Sequence, residues 1–346
     1  MALNELWFIL IAALFLGFLV LEGFDFGVGM LMAPMGALDP GNGEPRRRAV
    51  IGTIGPVWDA NEVWIITAGA AMFAAFPNWY ATVFSALYLP LLAILFGMIL
   101  RIVGIEWRDK IDDPAWRRRA DIGIAVGSWL PAVLWGVAFA ILLRGLPIDA
   151  DGGVHAGIGD ILAPYTLLGG LATASLFAFY GAIFVALKTA GAVRDDAFRF
   201  ARWLTVPVVL LAGGFGLWTQ LAYGKPWTWV ALAVAVVALL VAVALMWARR
   251  NEGWAFVAGV VVIAAVVVLI FGSMYPNLLP STISPDYSVT IANGSSTDYT
   301  LKIMTWASVT LLPLVLAYQA WTYWVFRRRI SAEDLPAPTG LARRPS

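Results

Sequence analysis

The segment LWFILIAALFLGFLVLEGFDFGVGMLM, residues 6–32, is apolar throughout except for two acidic residues, Glu22 and Asp25. A transmembrane helix needs about 20 predominantly apolar residues, so this segment is long enough to cross a bilayer. Glu5 precedes it but no Lys or Arg does, and its apolar part exceeds the ~7–15 residues of a secretory signal. We therefore expect a first transmembrane helix that remains in the mature protein.

The whole chain has the composition of a membrane protein. Of its 346 residues, 61% are hydrophobic and 13% are charged, whereas a soluble domain is about half apolar and roughly a quarter charged. This composition excludes a soluble enzyme. The 23 basic and 22 acidic residues nearly balance, so no nucleic acid partner is expected. With no cysteine, the chain has no disulfides and no thiolate ligands for a metal.

Apolar windows predict nine transmembrane helices in one integral membrane domain, residues 1–346. The predicted spans are about 6–32, 52–76, 79–105, 121–144, 160–187, 203–223, 227–248, 254–274 and 302–326. Of the Lys and Arg residues, 19 fall in alternate connections and in the tail, residues 327–346, and three fall on the opposite side. Because basic residues are retained in the cytoplasm, we expect an all-α, polytopic protein with its N-terminus outside and a cytoplasmic C-terminal tail.

Acidic side chains are concentrated in the first three predicted spans, although a charged residue inside a span costs roughly 2.5–3.5 kcal/mol on insertion scales. They are Glu22, Asp25, Asp59, Glu62 and Glu106. Two pairs are spaced i, i+3, which puts both carboxyl groups on one helix face. From the helical rise, Asp25 and Asp59 lie roughly 10 Å from the cytoplasmic end of their spans, and Glu22 and Glu62 roughly 15 Å from it.

One arginine, Arg101, lies in the third predicted span and cannot neutralise five carboxylates. Several of these acids must then be protonated or hydrated, and a hydrated line of acids can relay protons across part of a membrane. In the competing interpretation, the acids pair with Arg101, with Asn61 or with a partner chain and only fix helix packing. A proton-coupled transporter would need the same residues, so the residues alone leave these alternatives open.

Several blocks of the sequence resemble subunit II of the cytochrome bd-type quinol oxidases. They are GFDFGVG (23–29), WDANEVWIITAGA (58–70), FAAFP (73–77), RIVGIEWR (101–108), YPNLLPST (275–282), TLKIMTW (300–306) and YQAWTYW (318–324). The resemblance extends over nearly the whole chain. It implies a nine-helix subunit with two four-helix bundles and one peripheral helix in the bacterial cytoplasmic membrane.

The resemblance also implies a partner, the larger subunit I, which carries two b-type hemes and heme d. The pair oxidises quinol from the membrane pool and reduces dioxygen to water. With no cysteine and one histidine, His155, this chain lacks an obvious ligand set for a buried heme, so we expect it to hold no redox centre. Membrane lipids and small accessory subunits are further expected partners, and some members bind a structural quinone in subunit II.

The resemblance implies that subunit II supplies part of a proton route from the cytoplasm. Asp59 matches the aspartate of the second-helix motif. Glu106 stands where other members have Asp, and Glu62 stands where Gln is familiar. We therefore assign Asp59, Glu106, Asp25, Glu22 and Glu62 to the proton route. The supporting residues are Trp58, Asn61 and Arg101.

Overall fold

A computed structural model describes residues 2–39, 41, 43–333, 335 and 341–342. Within them the chain is mainly helical, with twelve α-helices and four strands of two or three residues. The helices are α1 Leu3–Ala37, α2 Gly43–Gly52, α3 Trp58–Ala75, α4 Pro77–Ala86, α5 Tyr88–Trp107, α6 Pro114–Arg144, α7 Ile158–Ile161, α8 Pro164–Lys188, α9 Gly191–Tyr223, α10 Thr228–Ala248, α11 Glu252–Met274 and α12 Asp298–Val325. Strand β1 Ile111–Asp112 pairs in parallel with β4 Leu341–Ala342, and β2 Asn277–Leu279 pairs antiparallel with β3 Val289–Thr290.

In the described part of the chain, eight helices are long and apolar enough to cross a membrane: α1, α5, α6, α8, α9, α10, α11 and α12. The chain is therefore an all-α, polytopic membrane protein, as the sequence predicts. Helix α3 is not among the eight. It has 18 residues and carries Asp59, Asn61 and Glu62 in its first two turns.

The region predicted as a single span over residues 79–105 consists of two helices that meet at Leu87. Pro90 explains the break, because its ring lacks an N–H and clashes with the carbonyl four residues earlier, that of Ala86. Helices α6 and α9 begin at Pro114 and Gly191, well before the apolar windows that start at 121 and 203. Hydropathy falls where charged residues begin, but the helices continue through them.

Helix α1 lies at the centre of the structure and packs against α2, α3, α6, α8 and α11. Helix α5 packs on α6, α9 packs on α8, and α10 packs on α9 and α11. Helix α12 is peripheral and contacts only α1 and α3 closely, so most of its side chains remain exposed.

The backbones of α1 and α8 touch where Gly27 faces Gly181. A Cβ atom on Gly27 would overlap the carbonyl oxygen of Phe177 and the Cα atom of Gly181. Small residues allow such close approach between membrane helices. These glycines therefore set the distance between the two central helices.

We expect Gly27→Ala to prevent stable folding of the subunit, because backbone atoms cannot move aside as a flexible side chain does, and overpacking costs typically ~1–3 kcal/mol or more. Gly69→Ala is the matched control, since no atom lies within 4 Å of a Cβ there. The measurement is the yield of monodisperse protein after detergent extraction. Equal yields for both variants would contradict the proposed role of the close contact.

The basic connections meet at one end of the helix bundle. Ion pairs join Arg46 to Asp196 and Arg249 to Asp195, and others join Arg108 to Glu44 and Arg194 to Glu252. We call this end, formed by residues 43–57, 108–121, 188–196 and 249–252, the basic end. It is the end that the sequence predicts to be cytoplasmic.

The opposite end contains the segment between α11 and α12. Its β2–β3 hairpin is tied to α1 by a hydrogen bond from Asn4 Nδ2 to the Ile291 carbonyl oxygen, 3.1 Å long. The Ser296 amide donates to the Ala75 carbonyl at the end of α3, at 2.8 Å. This segment therefore fixes the non-basic ends of α1 and α3, the two helices that carry most of the predicted site residues.

Candidate functional site

A buried ion group joins α1, α3 and α5. Arg101 Nη2 donates to Glu22 Oε1 and lies 3.4 Å from Glu62 Oε1. Arg101 and Glu22 are fully buried, and the Glu62 side chain is 14% exposed. The Arg101 guanidinium also lies 4.6 Å from the centre of the Phe26 ring. One positive charge therefore faces two carboxyl groups in the interior of the bundle.

Asn61 is the centre of a second polar group. Its Nδ2 donates to Asp25 Oδ2 at 2.7 Å, and its Oδ1 accepts from the Tyr323 hydroxyl at 2.8 Å and from Gln319 Nε2 at 3.2 Å. Gln319 Oε1 in turn accepts from Trp64 Nε1 at 2.8 Å. We call these five residues the Asn61 network. It links α1 and α3 to the peripheral helix α12.

Gln319 and Tyr323 are not among the predicted site residues, although both lie in the block YQAWTYW (318–324) that carries the resemblance. Their i, i+4 spacing puts them on one face of an otherwise apolar helix, and a polar face of this kind inside a span is a usable signal. What the sequence could not supply is the partner, because Asn61 lies 258 residues before Gln319.

The buried acids are not locked into complete pairs. Glu22 Oε2 and Asp25 Oδ1 are buried and have no hydrogen-bond partner among the residues that the structure describes. Each carboxyl group thus keeps an oxygen available for a proton or a water molecule. Glu22 and Asp25 have four carboxyl oxygens in total. The packing interpretation, in which Arg101 and Asn61 hold the acids as structural pairs, gives a partner to only two of them.

Asp59 and Glu106 lie apart from the buried groups, on the surface of the chain. Asp59 is in the first turn of α3 and interacts electrostatically with Glu62. Glu106 is in the last turn of α5, and Trp58 beside Asp59 is partly buried. The structure therefore brings Glu22, Asp25, Glu62, Asn61 and Arg101 together in the interior, and it leaves Asp59 and Glu106 open to a neighbour or to solvent.

The exposed faces of α3 and α5 are otherwise mostly apolar. On α3 the exposed residues include Val63, Ile66 and Phe73, and on α5 they include Phe96, Ile99 and Val103. Asp59 and Glu106 lie at the basic end of these two faces. Two exposed acids at the edge of an apolar surface suit contact with another membrane-embedded protein.

An apolar cavity of about 700 Å³ lies between α3, α4 and α5 and reaches Trp135 of α6. Glu62 lines it together with Tyr80 and Tyr88, and the remaining lining residues are apolar. Within the described residues no group of three or more His, Cys, Asp or Glu side chains is arranged to hold a metal ion. The lining of the cavity suits an apolar chain.

Arg108, the last residue of the block RIVGIEWR and not one of the predicted site residues, is 1% exposed. Its Nη1 and Nη2 atoms donate to the two oxygens of Glu44, each at 2.8 Å, and its Nε donates to Asp121 Oδ1 at 2.6 Å. This cluster joins α2 to the ends of α5 and α6 at the basic end. Burial opposes ionisation of Glu44, but the hydrogen bonds and charge of Arg108 hold the pKa of Glu44 below its usual value.

The Glu44–Arg108 pair predicts a pH-dependent stability. Because the pKa of Glu44 is lower in the folded protein, the pair stabilises the fold above the usual glutamate pKa of 4.5 and loses this effect as the pH falls toward the folded-state value. We expect Glu44→Gln to lower the apparent Tm of the purified protein at pH 7 and to lower it less below pH ~4.5. A difference in Tm that stays constant with pH would contradict this, and Asp151→Asn in an exposed turn serves as control.

Comparisons with known proteins agree with this architecture. The sequence matches the family described as cytochrome bd terminal oxidase subunit II over residues 3–326. It is 40% identical over 337 residues to cytochrome bd ubiquinol oxidase subunit 2 of Bacillus subtilis, covering 96% of this chain and 98% of that protein. It is 33% identical over 377 aligned positions to cytochrome bd-I ubiquinol oxidase subunit 2 of Escherichia coli K12, covering 97% of each chain.

A solved structure has the same fold. A chain of the bd oxidase from Geobacillus thermodenitrificans superimposes with a TM-score of 0.75 at 18% identity, covering 94% of this chain and 99% of that one. The apolar helices and the bacterial relatives indicate a multi-pass protein of the bacterial cytoplasmic membrane. The family match over nearly the whole chain, and the two relatives above 30% identity, establish that this chain belongs to the cytochrome bd terminal oxidase subunit II family.

Proposed function

We propose that this chain is the non-heme subunit of a cytochrome bd-type quinol:oxygen oxidoreductase. In this role it stabilises the heme-bearing subunit I and supplies protons from the cytoplasm for the reduction of dioxygen to water. We further propose that the subunit has nine spans, arranged as two four-helix bundles with α12 at the periphery. In this proposal its N-terminus is outside and its C-terminus is cytoplasmic. Two relatives are named as ubiquinol oxidase subunits, which supports the substrate class.

One observation carries the proton route: acids with free carboxyl oxygens are buried in the membrane-spanning part of the bundle. Glu22 and Asp25 are fully buried and keep Oε2 and Oδ1 without a described partner. Groups that transfer protons need both a titratable oxygen and a hydrogen-bond connection to the next group. A packing role alone needs no free oxygen.

The proposed route begins at the basic end. Asp59 and Glu106 are exposed there, and three residues, or about 4.5 Å along the helix axis, separate Asp59 from Glu62. Arg101 contacts both Glu62 and Glu22 and so holds the two carboxyl groups near each other, while its own guanidinium stays protonated and does not carry the proton. Asp25 lies one turn from Glu22 on the same helix, so a proton taken up at Asp59 can move inward in short steps.

Subunit I is the proposed neighbour of the apolar faces of α3 and α5 and of the exposed helix α12. It holds the two b-type hemes and heme d, and this chain holds none. The exposed acids Asp59 and Glu106 at the edge of this surface are consistent with the assignment, because the uptake end of the route would then lie at the boundary between the two subunits. Lipids and small accessory subunits would cover the remaining apolar surface.

The cavity beside α3 fits the structural quinone that the resemblance implies for some members. Its apolar walls suit the isoprenoid chain, and the ring would bind at one end of the cavity, beside either Glu62 or Tyr80 and Tyr88. When bound there, the quinone would fill the space between α3 and α5 and stiffen the subunit. Glu62 is the one residue that lines this cavity and also belongs to the proposed proton route.

The alternatives differ in what is purified with the chain. We expect an affinity-purified complex to contain a second, larger polypeptide, and heme absorption bands to follow that polypeptide on fractionation. A preparation without a heme-bearing partner would favour a proton-coupled transporter. If alanine variants of the acids lose assembled heme instead of slowing turnover, the chain is a scaffold without a proton role.

A further inference from the structure

A groove opens on the surface of the bundle between α1 and α11, at the end opposite the basic end. It is lined by one face of α1 between Glu5 and Leu16, by the last turns of α11 and by Tyr275. Trp227, just before α10, forms a further wall, and its indole lies against Gly272, where a Cβ atom would overlap the ring. The volume is about 470 Å³. We call this feature the α1–α11 groove.

The dimensions of the α1–α11 groove match one leaflet of a bilayer. The wall formed by α1 runs from Glu5 to Leu16, which is about 16 Å at a rise of 1.5 Å per residue. One leaflet is half of a hydrocarbon core of about 30 Å. Apart from Glu5 and Tyr275 at the mouth, the lining residues are aliphatic, aromatic or glycine. The groove is therefore long enough and apolar enough to hold one acyl chain.

The groove faces away from the surface proposed for subunit I. On another face of α1, Trp7 Nε1 donates to the Leu301 carbonyl oxygen of α12 at 3.2 Å. Among the described residues, none from α3, α5 or α12 lines the groove. Two lining residues, Ile9 and Val268, are 50% and 46% exposed. The groove is therefore open toward the membrane on the side of α10 and α11.

The mouth of the groove carries one acid and one base, joined through a tyrosine. The Tyr275 hydroxyl donates to Glu5 Oε1 at 3.0 Å. Lys225 Nζ donates to the Tyr275 carbonyl oxygen and lies 5.4 Å from the centre of the Tyr275 ring. An ammonium has three donors and a carboxylate accepts about four hydrogen bonds. Both charged groups therefore keep capacity to bind a ligand at the mouth.

This pair of charges selects among lipid headgroups. Phosphatidylethanolamine carries a phosphate, which suits Lys225, and a primary ammonium, whose N–H groups suit Glu5. Phosphatidylglycerol has no cation and would bring its negative charge toward Glu5. The ammonium of phosphatidylcholine is fully methylated and has no N–H to donate. The mouth therefore favours the zwitterionic lipid with a primary amine.

We propose that the α1–α11 groove binds one molecule of phosphatidylethanolamine, with an acyl chain between the helices and its headgroup between Glu5 and Lys225. Lys225 lies in the connection between α9 and α10. The bound lipid thus joins α1, the α9–α10 connection and the end of α11 at the membrane surface. This site does not depend on the proton route.

Native mass spectrometry tests the site on the affinity-purified protein with the subunits that accompany it. The preparation is stripped of lipid in detergent and titrated with dioleoyl phosphatidylethanolamine, phosphatidylcholine or phosphatidylglycerol, so that only the headgroup differs. We expect the first phosphatidylethanolamine to bind with a Kd several-fold lower than that of the other two lipids. Equal Kd values for the three lipids would overturn the proposal.

Two variants at the mouth test the headgroup contacts. Glu5→Gln should remove the preference for phosphatidylethanolamine over phosphatidylcholine, because the ammonium loses its charged partner. Glu5→Lys places two cations at the mouth and should shift the preference to phosphatidylglycerol. Asp298→Asn is the matched control, since Asp298 is an exposed acid in the first turn of α12 at the same end of the bundle. An unchanged preference in both Glu5 variants would overturn the assignment.

Ala13→Phe tests whether the groove itself holds the lipid, because the added ring fills the groove and leaves the mouth intact. We expect the tight phosphatidylethanolamine to be lost, whereas Ala233→Phe on an exposed face of α10 should retain it. An unchanged size-exclusion profile shows that both variants remain folded. If Ala13→Phe instead releases a quinone or a small polypeptide from the purified protein, that molecule occupies the groove and the proposal is overturned.

Discussion

Replacing Asp59 by Asn should slow oxygen consumption by the assembled complex by about 10²-fold or more, the usual contribution of a positioned proton-transfer group. Asp59 is exposed on the chain and forms no hydrogen bond or ion pair with the described residues. Asparagine has the same size and cannot carry a proton, so folding and subunit contact should be unaffected. The measurement is quinol-driven oxygen uptake, with heme spectra recorded on the same preparation.

Two further variants separate the possible causes of such a loss. Asp59→Glu keeps a carboxyl group and should retain much of the turnover, whereas Asp151→Asn in an exposed turn should change nothing. Full turnover in Asp59→Asn would reject the proton role of this residue. Loss of the heme bands together with activity would instead indicate a role in assembly.

The second large effect is expected for Arg101→Met, which leaves Glu22 buried without its partner. Removing one member of a buried ion pair typically costs about 3–5 kcal/mol. Arg101 is fully buried and also contacts Glu62, so the subunit should become unstable and little complex should be recovered. Apparent Tm and yield of the purified complex are the measurements, and Arg118→Met at an exposed position is the control.

The double variant Arg101→Met with Glu22→Gln tests whether the loss comes from an uncompensated charge. It removes the unpaired carboxylate and should recover most of the stability lost in Arg101→Met. When two substituted residues belong to one ion group, their separate effects on stability are expected not to add. If the two losses simply add, the pairing of Arg101 with Glu22 is not what stabilises the bundle.

The sequence predicts the architecture well where hydropathy alone decides it. Long apolar runs mark most of the membrane helices. The sequence places most Lys and Arg residues in alternate connections, and in the structure ion pairs join several of these connections at one end of the bundle. It predicts the ends of helices less well. Pro90 breaks one expected helix, and α6 and α9 extend through charged residues where hydropathy gives no signal.

The candidate site was predictable only in part. The i, i+3 spacing of acids on α1 and α3 and the single arginine on α5 make the contacts of Arg101 with Glu22 and Glu62 a natural expectation. The contacts of Asn61 with α12 depend on how distant helices pack. No local pattern in the sequence encodes that arrangement.

The comparisons establish the family and leave the residue roles to experiment. Identities of 40% and 33% over nearly whole chains fix the subunit type. The structural similarity at 18% identity concerns the fold alone. The functions of Asp59, Glu106, Glu62, Glu22 and Asp25 therefore rest on their burial, contacts and chemistry, and each of these can be tested by substitution.

The central claim is that the acids of α1 and α3 carry protons from the cytoplasm to chemistry performed in subunit I. The most direct test is time-resolved proton uptake, followed with a pH-sensitive dye when the fully reduced complex reacts once with oxygen. In Asp59→Asn, we expect oxygen to bind at the normal rate. We expect proton uptake to be slower, in parallel with the later steps of oxygen reduction. Proton uptake at the rate of the unmodified complex would contradict it.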